Sequence, residues 1–105
     1  MDVVGVALSG LSASSAGLAM QANNVANQQS DGFQAKHVDL VAEASGGVRV
    51  SGANTDPTPA GPGTSNVDPT AEIVMGLGFD VMYRANLQVL NTANELMKTT
   101  LDMKA

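Results

Sequence analysis

The segment from Asp68 to about Met103 constrains this chain more than any other. Along it Asp80, Arg84, Gln88, Asn91, Glu95, Lys98 and Asp102 recur every three or four residues, the spacing that sets side chains on one stripe of an α-helix. Opposite that stripe run two adjoining apolar rows, Phe79, Met82, Val89, Ala93, Leu96 and Met103 in one and Tyr83, Leu87, Leu90, Met97 and Leu101 in the other. A face this wide wants more than one neighbour. Asp68 can accept from the free N–H groups of the first turn, and Pro69 sits where a missing N–H costs nothing. Glu72 places negative charge near the positive end of the helix dipole. The pattern predicts a helix over residues 68–103, roughly 50 Å long at about 1.5 Å per residue. Gly76 and Gly78 each weaken it by about 1 kcal/mol relative to Ala, and they point to a bend or a close contact.

Residues 2–27 carry a second helical pattern. Val4, Leu8, Leu11, Ser15, Leu18, Ala22 and Val25 step by four and three, a seam suited to another helix. Beside it runs a row of small residues, Ala7, Gly10, Ser14 and Gly17, which lets a second helix axis approach closely. Gly5, Gly10 and Gly17 cost an isolated helix about 1 kcal/mol each, which only packing can recover. Asn23, Asn24 and Asn27 fall within about a turn of one another at the exit. Asn tolerates the left-handed backbone that ends many helices, and its amide can bond loose carbonyls. Asp31-Gly32 then supplies a turn from which Phe33 can fold back on the helix end.

Between the helices, residues 33–52 change period. Val38, Leu40 and Ala42 alternate with His37, Asp39 and Glu43, and Ser45-Gly46-Gly47 leads into Val48-Arg49-Val50. That is a short hairpin, with Val41 out of step. Two strands alone are marginal, so the hairpin must lean on a helix or a neighbouring subunit. Residues 53–67 hold all but one of the prolines together with several glycines, a loop of restricted extended character. The expected fold is a mainly α single domain, with long N- and C-terminal helices packed as an antiparallel coiled-coil-like bundle around this hairpin and loop.

Composition narrows the function. Aromatics make up 3% of the 105 residues and Trp is absent, so the core must be a long, thin one of Ala, Val, Leu and Met. A net charge of −5 with scattered basic residues disfavours a phosphate-backbone binder, hence no nucleic-acid partner is expected. No Cys is present for disulfides or thiolate metal sites. No apolar run reads as long enough to cross a bilayer, and the start, with Asp2, lacks a basic leader region, so neither membrane insertion nor a cleavable signal is expected. His37, the only histidine, reads as a surface or edge residue with no second metal ligand at a useful spacing. The GLGF run at 76–79 lies inside a helix pattern rather than before one, so it is no phosphate loop. Asp80 with Arg84 and Glu95 with Lys98 read as surface ion pairs, and the six methionines as core filler. No catalytic, cofactor-binding or metal residue is assigned.

Both ends together resemble a known family. ALSGLSASSAGLAMQANNVANQQSDGFQAK is similar to the N-terminal signature of bacterial flagellar rod, hook and hook-associated axial proteins, matched here at Asn23, Asn24, Asn27, Gly32, Phe33 and Lys36. SNVDPTAE resembles the opening of that family's C-terminal helix, and YRANLQVLNTANELMKTTLDM its continuation, matched at Tyr83, Ala85, Asn86, Asn91, Thr92 and Leu101. The middle segments AKHVDLV and GVRVSGANTDPTP, with the short length, look most like the small proximal-rod branch. The run Gly76-Leu77-Gly78-Phe79-Asp80-Val81 departs from the family's Met-Ile-x-Ala-x-Arg, and the loop after Pro59 is shorter.

The resemblance implies a non-enzymatic structural subunit of the basal-body rod that self-assembles through its terminal helices into the torque-transmitting axial structure. It implies copies of itself, other rod proteins and the flagellar type III export apparatus as partners, a place in the periplasm-spanning rod, and no cofactor. The helix-pairing seam is assigned to Leu8, Leu11, Leu18 and Val25 with Leu87, Leu90, Met97 and Leu101. Ala7, Gly10, Ser14 and Gly17 are assigned to close contacts between subunits. Two other classes stay open at this stage: a divergent paralogue or small helical adaptor that forms a closed oligomer, and, far behind, an enzyme.

Overall fold

The computed structural model describes residues 2–104. Met1, counted above with the core-filling methionines, lies outside them. The order is α1 (Val3–Ala26), β1 (Lys36–Ala42), β2 (Val48–Thr55) and α2 (Pro69–Lys104). The helices are antiparallel: Gly10 lies against Asn86, Gly17 against Phe79, Gln21 against Gly76 and Asn24 against Glu72. The expected mainly α architecture, terminal helices flanking one hairpin, is the one observed.

Each helix starts on an aspartate. Asp2 Oδ1 accepts from Gly5 N at 2.8 Å, and Asp68 Oδ1 accepts from Thr70 N at 3.0 Å and Ala71 N at 3.3 Å. Such caps satisfy N–H groups that the helix itself leaves free. α1 stops as the asparagines suggest, with Asn27 N donating to both Asn23 O and Asn24 O. Gly32 takes φ of 73°, the left-handed conformation that its turn needs. α2 stays continuous through Gly76 and Gly78. Gly76 makes the close contact, since a Cβ there would lie 3.2 Å from the Gln21 amide, whereas Gly78 faces open space.

β1 and β2 pair antiparallel from Lys36↔Thr55 to Ala42↔Val48, with a shift between Asp39 and Leu40 that leaves Ser51 unpaired. This is a β-bulge. Past it Val41 is the more covered residue and Leu40 the exposed one, which accounts for Val41 standing out of the simple alternation. The hairpin turn is closed by Glu43 N to Gly47 O at 3.0 Å, Gly46 N to Glu43 O at 3.0 Å, and an Arg49–Glu43 ion pair at 2.9 Å.

The molecule is thin, 68 × 24 × 15 Å, with a radius of gyration of 18.1 Å where a compact chain of this length has about 13 Å. Its accessible surface of 6639 Å² exceeds the roughly 5,500 Å² of a compact monomer of this mass. The fully buried apolar residues are Ala7, Ala13 and Ala35. α2 is 36 residues long and α1 24, so the antiparallel pairing leaves the last turns of α2 running past the start of α1.

Three expectations need correction. The small row Ala7, Gly10, Ser14 and Gly17, assigned to contacts between subunits, is buried within this chain, and α2 is what covers Gly10 and Gly17. Small side chains let the chain's own second helix come close, which is the nearest use for them. α1, with 24 residues and an 18-residue stretch of mean hydropathy 1.6, does have the length and apolarity of a membrane-crossing helix, although here it packs on α2 and the hairpin. Finally, Asp80 and Arg84 pair at 3.2 Å, but no Glu95–Lys98 pair forms among the described residues.

Candidate functional site

At one end of the rod the two family-like segments meet in a polar junction. Asn24, fully buried, donates from Nδ2 to Lys36 O at 2.7 Å and accepts on Oδ1 from Lys36 N at 2.9 Å. One amide thus imitates a strand neighbour for the first residue of β1. The same Nδ2 lies 3.2 Å from Glu72 Oε1, in the first turn of α2, and His37 Nε2 approaches that oxygen to 3.1 Å. α1, β1 and α2 are therefore tied through one carboxylate. Burying a carboxylate is costly unless it is paired and hydrogen-bonded. Here Asn24, His37 and the positive end of the α2 dipole all favour it. Its Oε2 has no hydrogen-bond partner. His37, expected on the surface or at an edge, is half-buried and bound to Glu72.

The SNVDP segment closes the same end. Asn66 Oδ1 accepts from Ala35 N at 2.6 Å, while its Nδ2 donates to Asp56 O at 3.1 Å and Thr58 O at 2.7 Å. Ser65 Oγ donates to Gln28 O at 2.6 Å, capping a carbonyl just past α1. Asp56 accepts from Thr58 N at 2.9 Å, and this backbone bond, followed by one from the Thr58 side chain, holds its carboxyl below its ordinary value of 3.8.

Along the rod, the apolar residues point largely outward. Of the assigned seam, Leu8 and Val25 are exposed, Leu11 and Leu18 are half-buried on the flank of α1, and Leu90 is half-buried. Leu87, Met97 and Leu101 are exposed. The chain does not bring these two sets together as its buried seam; the small row holds that position. On α2, Ile73, Val74, Leu77, Val81, Leu96, Met97 and Leu101 are 59 to 65% exposed, and Met103 83%. The core-filler reading fits Met20, Met75 and Met82, which are half-buried, and not Met97 or Met103.

Asn23 and Asn27 bond each other at the end of α1, where Asn27 Nδ2 donates to Asn23 O at 2.9 Å. Phe33 and Tyr83 are half-buried, and Asn86 sits against Gly10 and donates to Met82 O at 2.7 Å. The family-motif residues are thus parts of helix ends and helix contacts. Sequence reasoning missed Glu72 as a buried residue and Asn66 as a staple, because both depend on partners dozens of positions away. Among the described residues no cluster of three or more His, Cys, Asp or Glu could hold a metal ion.

No protein-family model matches the chain. The flagellar basal-body rod protein FlgC of Yersinia enterocolitica is 35% identical to it over 129 aligned positions, covering 98% of this chain and 96% of that relative. The alignment is longer than the 105-residue chain, so the relative carries insertions that this chain lacks.

Proposed function

The chain belongs to the flagellar basal-body rod protein family, and we propose that it is a non-enzymatic structural subunit of the rod, joined to copies of itself and to other rod proteins through its terminal helices. One observation carries the assembly reading. Large apolar side chains that a self-sufficient domain would cover stand open along α2, while the buried apolar core consists of alanines. Full burial of a Leu, Val or Met side chain is worth about 1.5–3 kcal/mol, so neighbours that cover these faces add burial that the isolated chain lacks. Contact faces that differ from each other do not pair off as a two-fold dimer, and where the rotation between successive copies does not close they propagate into a helical tube.

The seam between copies is proposed at Leu8, Leu11, Leu18 and Val25 on α1 and at Leu87, Leu90, Met97 and Leu101 on α2. The small proximal-rod branch is the proposed place in the family, supported by coverage of nearly the whole of a basal-body rod relative. Export through the flagellar type III apparatus, with its signal in the N-terminal region, belongs to the same proposal, as does a position in the periplasm-spanning rod.

The test replaces Met97 and Leu101, both exposed, by Asp in one chain. Wild-type protein should sediment as polymers of broad length, and the double variant as monomer with unchanged circular dichroism. Polymers from the variant would remove the seam. A single fixed mass for the wild type would replace the rod by a closed oligomer.

A further inference from the structure

Gly10, Gly17 and Gly76 each admit a side chain of the opposite helix, Asn86, Phe79 and Gln21 in turn. Gly78 weakens α2 in the same way, yet a Cβ there would meet nothing within 4 Å. It opens instead on a cavity of about 260 Å³ whose walls include Met20, Val38, Met75, Phe79 and Met82. Walls rich in methionine adapt to an apolar side chain. The surrounding face of α2, from Ala71 through Val74, Val81, Ala85 and Val89 to Thr92, is exposed and carries no charge. Asp80, Arg84 and Glu95 lie on another side of the helix.

α1 supplies a surface that fits this face. None of its 24 residues is charged, so no part of its circumference needs water. α2 takes one side of it and the hairpin a second. The third side carries a large apolar residue at every seventh position, with Val4, Leu11 and Leu18 half-buried and Val25 exposed. At the same interval the α2 face has gaps at Ala71, Gly78, Ala85 and Thr92. Both rows run for roughly 32 Å at about 1.5 Å per residue, so the large residues can enter the gaps along the whole contact, as knobs into holes. The register follows as well. Within one chain Gly10 meets Asn86, Gly17 meets Phe79 and Asn24 meets Glu72. Carried to a neighbour at the same level, that register sets Leu18 against Gly78, Leu11 against Ala85, Val4 against Thr92 and Val25 against Ala71. Copies of net charge −5 repel, and these are uncharged surfaces on which they can meet. A 24-residue helix also falls within the about 20–30 residues a side of a specific interface. We propose that the cavity beside Gly78 receives Leu18 of a second copy, and that the third side of α1 lies along the Ala71–Thr92 face of a neighbour's α2. The two surfaces differ, so each copy keeps one of each for a further neighbour. This inference rests on the assembly reading above and gives the α1 part of its seam a counterpart.

Gly78→Leu fills the gap with the chain's own side chain and improves helix propensity, so at high dilution the variant should keep its circular dichroism and lose nothing in Tm. Its polymers, read by sedimentation, should form only at a concentration at least about tenfold above that of the wild type. Adding Leu18→Ala to the same chain should recover part of that loss. Polymers from Gly78→Leu chains at the wild-type concentration would overturn the proposal. The register is read separately. The chain has no cysteine, so single thiols report unambiguously. Ala22→Cys chains are mixed with Val74→Cys chains under mild oxidation, both positions being exposed and opposite each other in the proposed register. Their disulfide should form at least about tenfold faster than the one between Ser15→Cys and Val74→Cys, which are displaced by about 10 Å along the axis. Equal rates would also overturn the proposal. Sedimentation of the wild type separates the two failures. Polymers that show neither effect reject this contact alone, and absence of any association rejects it together with the assembly reading.

Discussion

Asn24 performs on a single amide the hydrogen bonding of a strand partner, because both Lys36 N and Lys36 O end on it while its Nδ2 also reaches Glu72. Asn24→Ala strands a backbone donor, a backbone acceptor and part of a carboxylate at once. With each buried unsatisfied group costing about 1–3 kcal/mol, a loss of about 3 kcal/mol is expected in urea unfolding, with faster hydrogen exchange at Lys36 N. The asparagine cluster was legible as a helix end from its spacing, but its partner twelve residues on was not, since nothing local marks which carbonyl a buried amide will meet. His37 and Glu72 were hidden in the same way. The glycines offer a sharper contrast. Gly17→Ala gains about 1 kcal/mol of helix propensity but drives a methyl into the Phe79 ring, and overpacking of about 1–3 kcal/mol should win, lowering Tm. Gly78→Ala meets open space and should raise Tm. For Asp56 the folded carboxyl is depressed, so its contribution is present above 3.8 and lost as pH falls through its lower folded value. An NMR titration of Asp56 should show this, with Thr58 N losing its protection in step.

At the scale of elements, the period of α2, its aspartate cap and the hairpin were readable because each depends on neighbours in sequence. What the leucine heptads of α1 would face was not. Both the Leu8–Leu11–Leu18–Val25 seam and the Ala7–Gly10–Ser14–Gly17 row obey the same spacing, and periodicity alone does not say which row takes the chain's own helix. Close approach decides it, since Gly10 and Gly17 admit Asn86 and Phe79 where leucines would hold the axes apart. The Ser51 bulge left one trace in the sequence, the misplaced Val41. The overhang of α2 has a consequence for exchange. Residues 72–90 lie along α1 and residues 94–104 largely do not, so in dilute protein the amides of the second group should exchange far faster than those of the first. Assembly should slow the second group selectively; uniform protection in the monomer would mean that the overhang is held by something within the chain.

For the molecule as a whole, thinness and exposed apolar area set the dependence of stability on concentration. A subunit 15 Å across in its shortest dimension has little interior, and the residues that could enlarge it face outward. Cover from neighbours therefore adds to stability by mass action, and free subunit at a hundred times the dissociation constant is worth about 2.7 kcal/mol. For a domain near this size that corresponds to a rise in Tm of about 10 °C or more. Scanning calorimetry from about 1 to 100 μM should show that rise for the wild type and a flat response for chains with Met97 and Leu101 both changed to Asp. Salt acts in the same direction. Copies of net charge −5 repel at long range, and raising ionic strength screens that repulsion while barely weakening buried apolar contacts between them. The concentration at which Tm begins to climb should then fall between low and physiological salt. A Tm that is high and independent of both concentration and salt would show that one chain already covers itself, which the exposed flank of α2 gives no physical means to do.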